Sequence, residues 1–157
     1  MADANQVPTS GLTPYITIRD GQGSEAVAFY IRAFGAREAQ RQLADDGKRL
    51  LHSHLIVNGS SLMLSDDFPE YRGGAAAPEP AGTTLHLQVK NADEWWNRSV
   101  EAGAQIRMPL ADQFWGDRYG QLRDPVRPQL VDRCACRQSA DADVAGVDAL
   151  WPNGSMR

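Results

Sequence analysis

Apolar and polar positions alternate along much of the chain, and the periods they follow predict its elements. Residues 15–19 place Ile16 and Ile18 on one side and Tyr15, Thr17 and Arg19 on the other, the period of a half-buried strand. After a turn over Asp20-Gly21-Gln22-Gly23, Ser24 reads as the N-cap of a helix whose apolar stripe is Val27, Tyr30, Ile31 and Phe34. Gly35 stands where a left-handed C-terminal residue is wanted. A short strand over 37–42 and a turn at Asp45-Asp46-Gly47 follow. Strands over 50–57 and 60–65 then flank Asn58-Gly59, a strong two-residue hairpin signal. In the first of these, Leu51, Leu55 and Val57 share one face and His52, His54 and Ile56 the other. In the second, Leu62 and Leu64 oppose Ser61, Met63 and Ser65. A helix must cover the apolar face, so the histidine face looks the opposite way.

The pattern then repeats. Residues 67–82, rich in Pro, Gly and Ala, read as a linker. Beyond it Leu85, Leu87 and Val89 alternate with Thr84, His86 and Gln88. Asn91 caps a helix carrying Trp95, Trp96 and Val100, and Gly103-Ala104 ends it as Gly35-Ala36 ended the first. Residues 105–108 match the short strand at Arg37, and 119–123 read as a further strand. An offset of about 70 residues is too long for a solenoid and indicates two copies of a strand-helix-strands module. The chain therefore divides into a leader (1–11), a first module (12–66), the linker, a second, incomplete module (83–125) and a tail (126–157).

Charge and composition narrow the partners. A net charge of -4 in 157 residues gives no basic surplus to neutralise phosphates, so nucleic acid is not expected. No apolar run approaches a membrane span and residues 1–10 carry no signal pattern, so no membrane partner and a cytoplasmic location are expected. The two cysteines, Cys134 and Cys136, are too few for a disulfide framework.

The richest chemistry lies in P-L-A-D-Q-F-W-G-D-R-Y-G-Q-L-R-D-P, residues 109–125, where Phe114, Trp115 and Tyr119 sit among Asp112, Asp117, Arg118, Arg123 and Asp124. Large flat surfaces beside charge suit a pocket. This string, with Y-I-T-I-R-D, G-S-E-A-V-A-F-Y-I-R-A-F-G-A, H-S-H-L-I-V-N-G-S-S-L-M-L-S-D and L-H-L-Q-V-K-N-A-D, resembles the vicinal oxygen chelate superfamily of glyoxalase I, bleomycin-resistance proteins and extradiol dioxygenases. The phosphonate-operon B-like branch is the most similar. The resemblance covers residues 12–125 and implies an α+β fold: two βαβββ modules forming a curved mixed sheet, helices outside, with the concave faces enclosing a site. It also implies a homodimer.

With the alternation above, that fold turns Tyr15, Thr17, His52, His54, Met63, Thr84, His86, Gln88, Trp115, Tyr119 and Gln121 toward the cavity, a lining of aromatic groups and neutral donors and acceptors. Arg118 is expected to hold a polar or anionic edge of the ligand, because its fork suits planar acceptors. Enzymes of the superfamily hold a divalent ion through His, Gln and Glu. The corresponding positions here fall near Thr13, Thr84 and Met63, none of them a ligand type expected there. No cofactor is therefore expected, and His52 and His86 are the protein ligands if a divalent metal binds. Two functions stay open: binding of a small aromatic or polar molecule, and a metal-dependent isomerase, lyase or dioxygenase.

The tail departs from the family. Where relatives continue Phe-Gly-His-x-Trp-x-Ile into a closing strand, this chain reads V-R-P-Q-L-V-D-R-C-A-C-R. One choice of codons within the degeneracy of the code, read one base later, gives Phe-Gly-His-Ser-Trp-Ser-Ile-Val-Ala-Arg. A frameshifted C-terminus is the resulting hypothesis. It leaves the last strand disrupted and the tail poorly ordered.

Overall fold

The computed structural model describes residues 7, 10–78 and 83–126, and the backbone of 134–139. The first module runs β1 (Tyr15–Ile18), α1 (Gly23–Phe34), β2 (Arg37–Leu43), β3 (Leu50–Val57) and β4 (Ser60–Asp66). The second runs β5 (His86–Gln88), α2 (Ala92–Glu101), β6 (Gln105–Asp112), β7 (Asp117–Arg123) and β8 (Cys134–Ser139). Each forms a four-stranded mixed sheet of the same topology, β1-β4-β3-β2 and β5-β8-β7-β6, with the first strand parallel to the last. The expected α+β architecture of two βαβββ modules is present.

Local chemistry explains most of these elements. Gly35 is left-handed at φ 59° and closes α1, as its position requires. Asn58 and Gly59 both take positive φ, as the tight β3–β4 hairpin demands. The Asn91 side chain accepts the Glu94 N–H at the start of α2. α1 begins differently from expectation. It starts at Gly23 without a side-chain cap, and Ser24 lies inside the first turn. The orphan Gly23 N–H donates instead to the buried Asp66 carboxylate at 2.7 Å, which also accepts Leu50 N–H at 2.6 Å. A tertiary carboxylate has replaced the local cap, and a charged acceptor at a helix N-terminus is doubly favourable.

Two core assignments shift for similar reasons. Phe29 is buried and Ile31 is exposed, because α1 turns its Phe29–Tyr30–Phe34 cluster inward, with ring centroids 5.6–5.9 Å apart. Leu50 is buried and Leu51 exposed, because the β2–β3 register shifts between Gln42 and Leu43 and resets the alternation there. β6 runs on to Asp112 through Pro109, which an edge strand tolerates, with register irregularities between Ile106 and Ala111. The described part of the linker holds a 3-10 turn, Pro69–Arg72.

The closing strand is the main correction. Expected to be disrupted, it is present as backbone: Cys134–Ser139 lies between β5 and β7, with Cys136 in register with Leu87 and Gly120. Ladder hydrogen bonds are made by the main chain, so the slot between β5 and β7 accepts an extended segment whose sequence departs from the family's. Leu130 and Trp151, which a well-packed tail would bury, lie outside the described residues.

One apolar cluster spans both modules, from Ile18, Phe29 and Leu55 to Trp96, Ala104 and Leu122. The helices meet inside it. Arg98 Nε and Ser99 Oγ both donate to the Ala33 carbonyl at the C-terminal end of α1, at 3.0 and 3.2 Å. Asn58 Nδ2 donates to the Gln88 carbonyl at 2.7 Å, tying the β3–β4 hairpin to β5.

Candidate functional site

Strand register assembles two equivalent rows of residues. Tyr15, Met63, His54 and Gln40 are cross-strand neighbours in the first sheet. His86, Ala135, Gln121 and Met108 are their counterparts in the second, at the same offset of roughly 70 residues. Because side chains alternate along an unbroken strand, Tyr15, Met63 and His54 in the first sheet and His86 and Gln121 in the second lie on the face opposite the one their helix covers.

On the first sheet the polar groups satisfy one another. Tyr15 Oη and His52 Nδ1 are 3.3 Å apart, and His54 Nε2 is 2.8 Å from Ser61 Oγ. His54 is buried, and burial, with the nearby His52 and Arg37, pushes its pKa below the usual histidine value. The neutral imidazole therefore prevails at pH 7. Met63 is partly buried in the same row, and Thr17 is in register with Ser65.

The second sheet carries the open hollow, with a volume of about 480 Å³. Its aromatic side is a series of neighbouring rings. His86 stacks on Tyr119 with centroids 6.1 Å apart at 20°, Trp115 meets Tyr119 at 6.0 Å, and Phe114 packs edge-on against Trp115 at 4.8 Å. The β6–β7 hairpin holds Trp115 there through Gln113 N–H to the Asp117 carbonyl and Gly116 N–H to the Gln113 carbonyl. Met108, Gln113, Asp117 and Gln121 complete the lining, and Gln121 Nε2 donates to Tyr119 Oη at 3.0 Å. Met108, Gln113 and Asp117 were not among the sequence candidates. Met108 stands between two register shifts of β6, which hide its place from the period of the strand, and the burial of Asp117 had no sequence signal. Gln88 lies on the same strand as His86, one alternation further along.

Arg118 is occupied by the chain itself. Its Nε and Nη2 donate to both Asp93 oxygens at 2.8 and 2.7 Å, and Nη1 donates to Asp112 at 3.0 Å. The fork expected to face a ligand instead ties α2 to the β6–β7 hairpin, and it holds the Asp93 carboxyl below its usual pKa.

His52 is engaged by Tyr15, His54 by Ser61, and His86 is stacked on Tyr119. Among the described residues no three His, Cys, Asp or Glu side chains converge. The arrangement offers flat apolar contact, with the Gln113 and Gln121 amides and the buried Asp117 carboxyl group at its margin.

Comparison with known proteins agrees with this fold. The profile of the Glyoxalase/Bleomycin resistance protein/Dioxygenase superfamily matches residues 13–127, and the chain belongs to that superfamily. The uncharacterised protein Mb0911c of Mycobacterium bovis is 41% identical over 118 residues, 73% of this chain and 76% of that protein. TioX from Micromonospora sp. ML1 superimposes with a TM-score of 0.54 at 27% identity, covering 82% of this chain and 97% of its own. The Arabidopsis thaliana At5g48480 product superimposes at 0.60 with 24% identity, over 84% and 99%, a likeness of fold.

Proposed function

We propose that the protein binds a flat, uncharged or weakly polar small molecule on the concave face of its second sheet, without covalent chemistry. The observation that carries this reading is the ring series from His86 through Tyr119 to Trp115, bordering a hollow large enough for a three-ring ligand. Offset and edge-on contacts with such rings contribute about 0.5–1.5 kcal/mol each beyond buried area. Gln121 and Gln113 would give directional bonds at the rim. Because Asp93 and Asp112 already neutralise Arg118, an anionic ligand gains little from it. Trp115 is 44% exposed and Phe114 93% exposed, so a second copy of the chain covering this hairpin would enclose the ligand, and we infer a homodimer. Light scattering that gives a monomer at micromolar concentration overturns the dimer.

The binding reading is tested by a thermal-shift panel of acridine, 9-aminoacridine and acridine-9-carboxylate. Acridine is expected to raise the melting temperature and the carboxylate to raise it less, since only binding to the native state stabilises. Trp115→Ala is expected to abolish the shift while leaving the far-ultraviolet dichroism nearly unchanged. A shift that survives in Trp115→Ala places binding elsewhere.

A further inference from the structure

A second cavity lies at the seam of the two modules, on the other side of His86, and shares only that residue with the concave hollow. Its volume is about 340 Å³. Tyr30 and Phe34 of α1 form its floor, and Val57, Leu62, Leu85 and Leu87 its walls. One margin is polar, with Ser60, Ser61 and Thr84, and among the described residues the lining contains no Lys, Arg, Asp or Glu.

We propose that this seam is a separate small-molecule site, taking a compact neutral compound that is mostly hydrocarbon with one hydroxyl or carbonyl group. The class follows from size, charge and the polar margin. An apolar cavity of about 150 Å³ accepts benzene, so roughly twice that volume suits a two-ring molecule. An ionised ligand would lose its hydration with no counter-charge in the lining, which excludes carboxylates and amines. Apolar walls of this kind give water few partners, so exchange of water for a hydrocarbon skeleton is favourable.

The polar anchor is built rather than incidental. Ser61 and His54 are 9% and 6% exposed, and Ser61 Oγ is bonded to His54 Nε2 at 2.8 Å. Burial keeps that imidazole neutral at pH 7, so one of its nitrogens carries a proton and the other does not. If Nε2 donates, the serine proton is free for a ligand carbonyl. If Nε2 accepts, the serine oxygen remains open to a ligand hydroxyl. In both tautomers Ser61 keeps one bonding position beyond its bond to His54, and Ser60 and Thr84 also line the cavity. This site does not depend on the reading of the concave face.

The test is a titration of the methyl-labelled full-length protein at pH 7.5 with 1-naphthol, and in parallel with 2-naphthoate. The expected result is saturable 1-naphthol binding with nuclear Overhauser contacts to methyls of Val57, Leu62, Leu85 and Leu87, and at least tenfold weaker binding of the carboxylate. Ser61→Ala is expected to weaken 1-naphthol several-fold, and Leu85→Trp, which fills the cavity, to abolish it. Contacts confined to Met108 and Trp115, or no binding at millimolar 1-naphthol, overturn the site, because then the seam is closed by the chain or by a second copy. Equal affinity for both compounds overturns the neutral-ligand assignment. Undiminished affinity in Ser61→Ala overturns the polar anchor even if Leu85→Trp fails to fold.

Discussion

Gly120 joins the packing of the second module to its ligand face, and Gly120→Ala measures that link. The residue lies in the middle of β7, between Tyr119 and Gln121, which both face the hollow, while Gly120 itself is turned toward α2. A β-carbon placed there would stand 2.5 Å from Trp96 Cζ3 and 2.9 Å from the Leu110 Cα. The indole has little room to yield, since Trp96 is only 8% exposed within the shared apolar cluster, and Leu110 presents backbone. Overpacking of a well-filled core costs about 1–3 kcal/mol, and the backbone contact puts this case near 3. For a chain of this size that lowers the melting temperature by roughly 6–12 °C. Urea denaturation followed by far-ultraviolet dichroism gives the free energy. Because the clash is chiefly with one ring, Trp96→Leu in the same chain should recover at least about 1 kcal/mol in a double-mutant cycle. A Gly120→Ala protein within about 0.5 kcal/mol of the parent, or a cycle with no coupling, refutes the reasoning.

Further outcomes follow from other contacts. Asp66→Asn should destabilise by about 2–4 kcal/mol by urea titration, because the amide can serve only one of the two buried N–H groups at Gly23 and Leu50. His54 has a folded-state pKa below its ordinary value of 6.5, so the unfolded chain takes up the proton first. Stability should therefore fall as pH drops below about 6.5, and His54→Gln should flatten that slope in a melting-temperature series. Asp46, held down to about 2 by its Arg49 hydrogen bond, acts in a separate window and loses its contribution only between about pH 3.8 and 2. A chain carrying Phe-Gly-His-Ser-Trp-Ser-Ile-Val-Ala-Arg from position 126 should be more stable by roughly 2–5 kcal/mol in the same assay, if the restored Trp and Ile are buried. Resequencing the gene tests the frameshift itself.

What could be read from the sequence was whatever local chemistry decides. Asn58-Gly59, Gly35 and the Asn91 cap each need a particular backbone conformation or acceptor, and each shows it within a few residues. The period of β1, β4 and β3 was enough to put Tyr15, Met63 and His54 on one face. Contacts between distant segments were not legible. Asp66 reaches Gly23 across 43 residues and displaced the expected Ser24 cap, while Asp93 reaches Arg118 across 25 and filled the fork assigned to a ligand. The bulge between β2 and β3 reversed Leu50 and Leu51, because a register shift depends on the partner strand as well as on the sequence that carries it. The closing strand was missed for the opposite reason. Its side chains depart from the family pattern, but its pairing rests on the main chain.

The central claim, that the rings beside β7 form the ligand surface, is tested most directly by fluorine NMR of protein labelled with 5-fluorotryptophan and titrated with acridine. The chain has four tryptophans, and the resonance missing from Trp115→Phe identifies Trp115. The account predicts that this signal shifts saturably with acridine while the Trp96 signal, buried against Gly120, stays in place. Saturable acridine binding that leaves the Trp115 signal unmoved would contradict it.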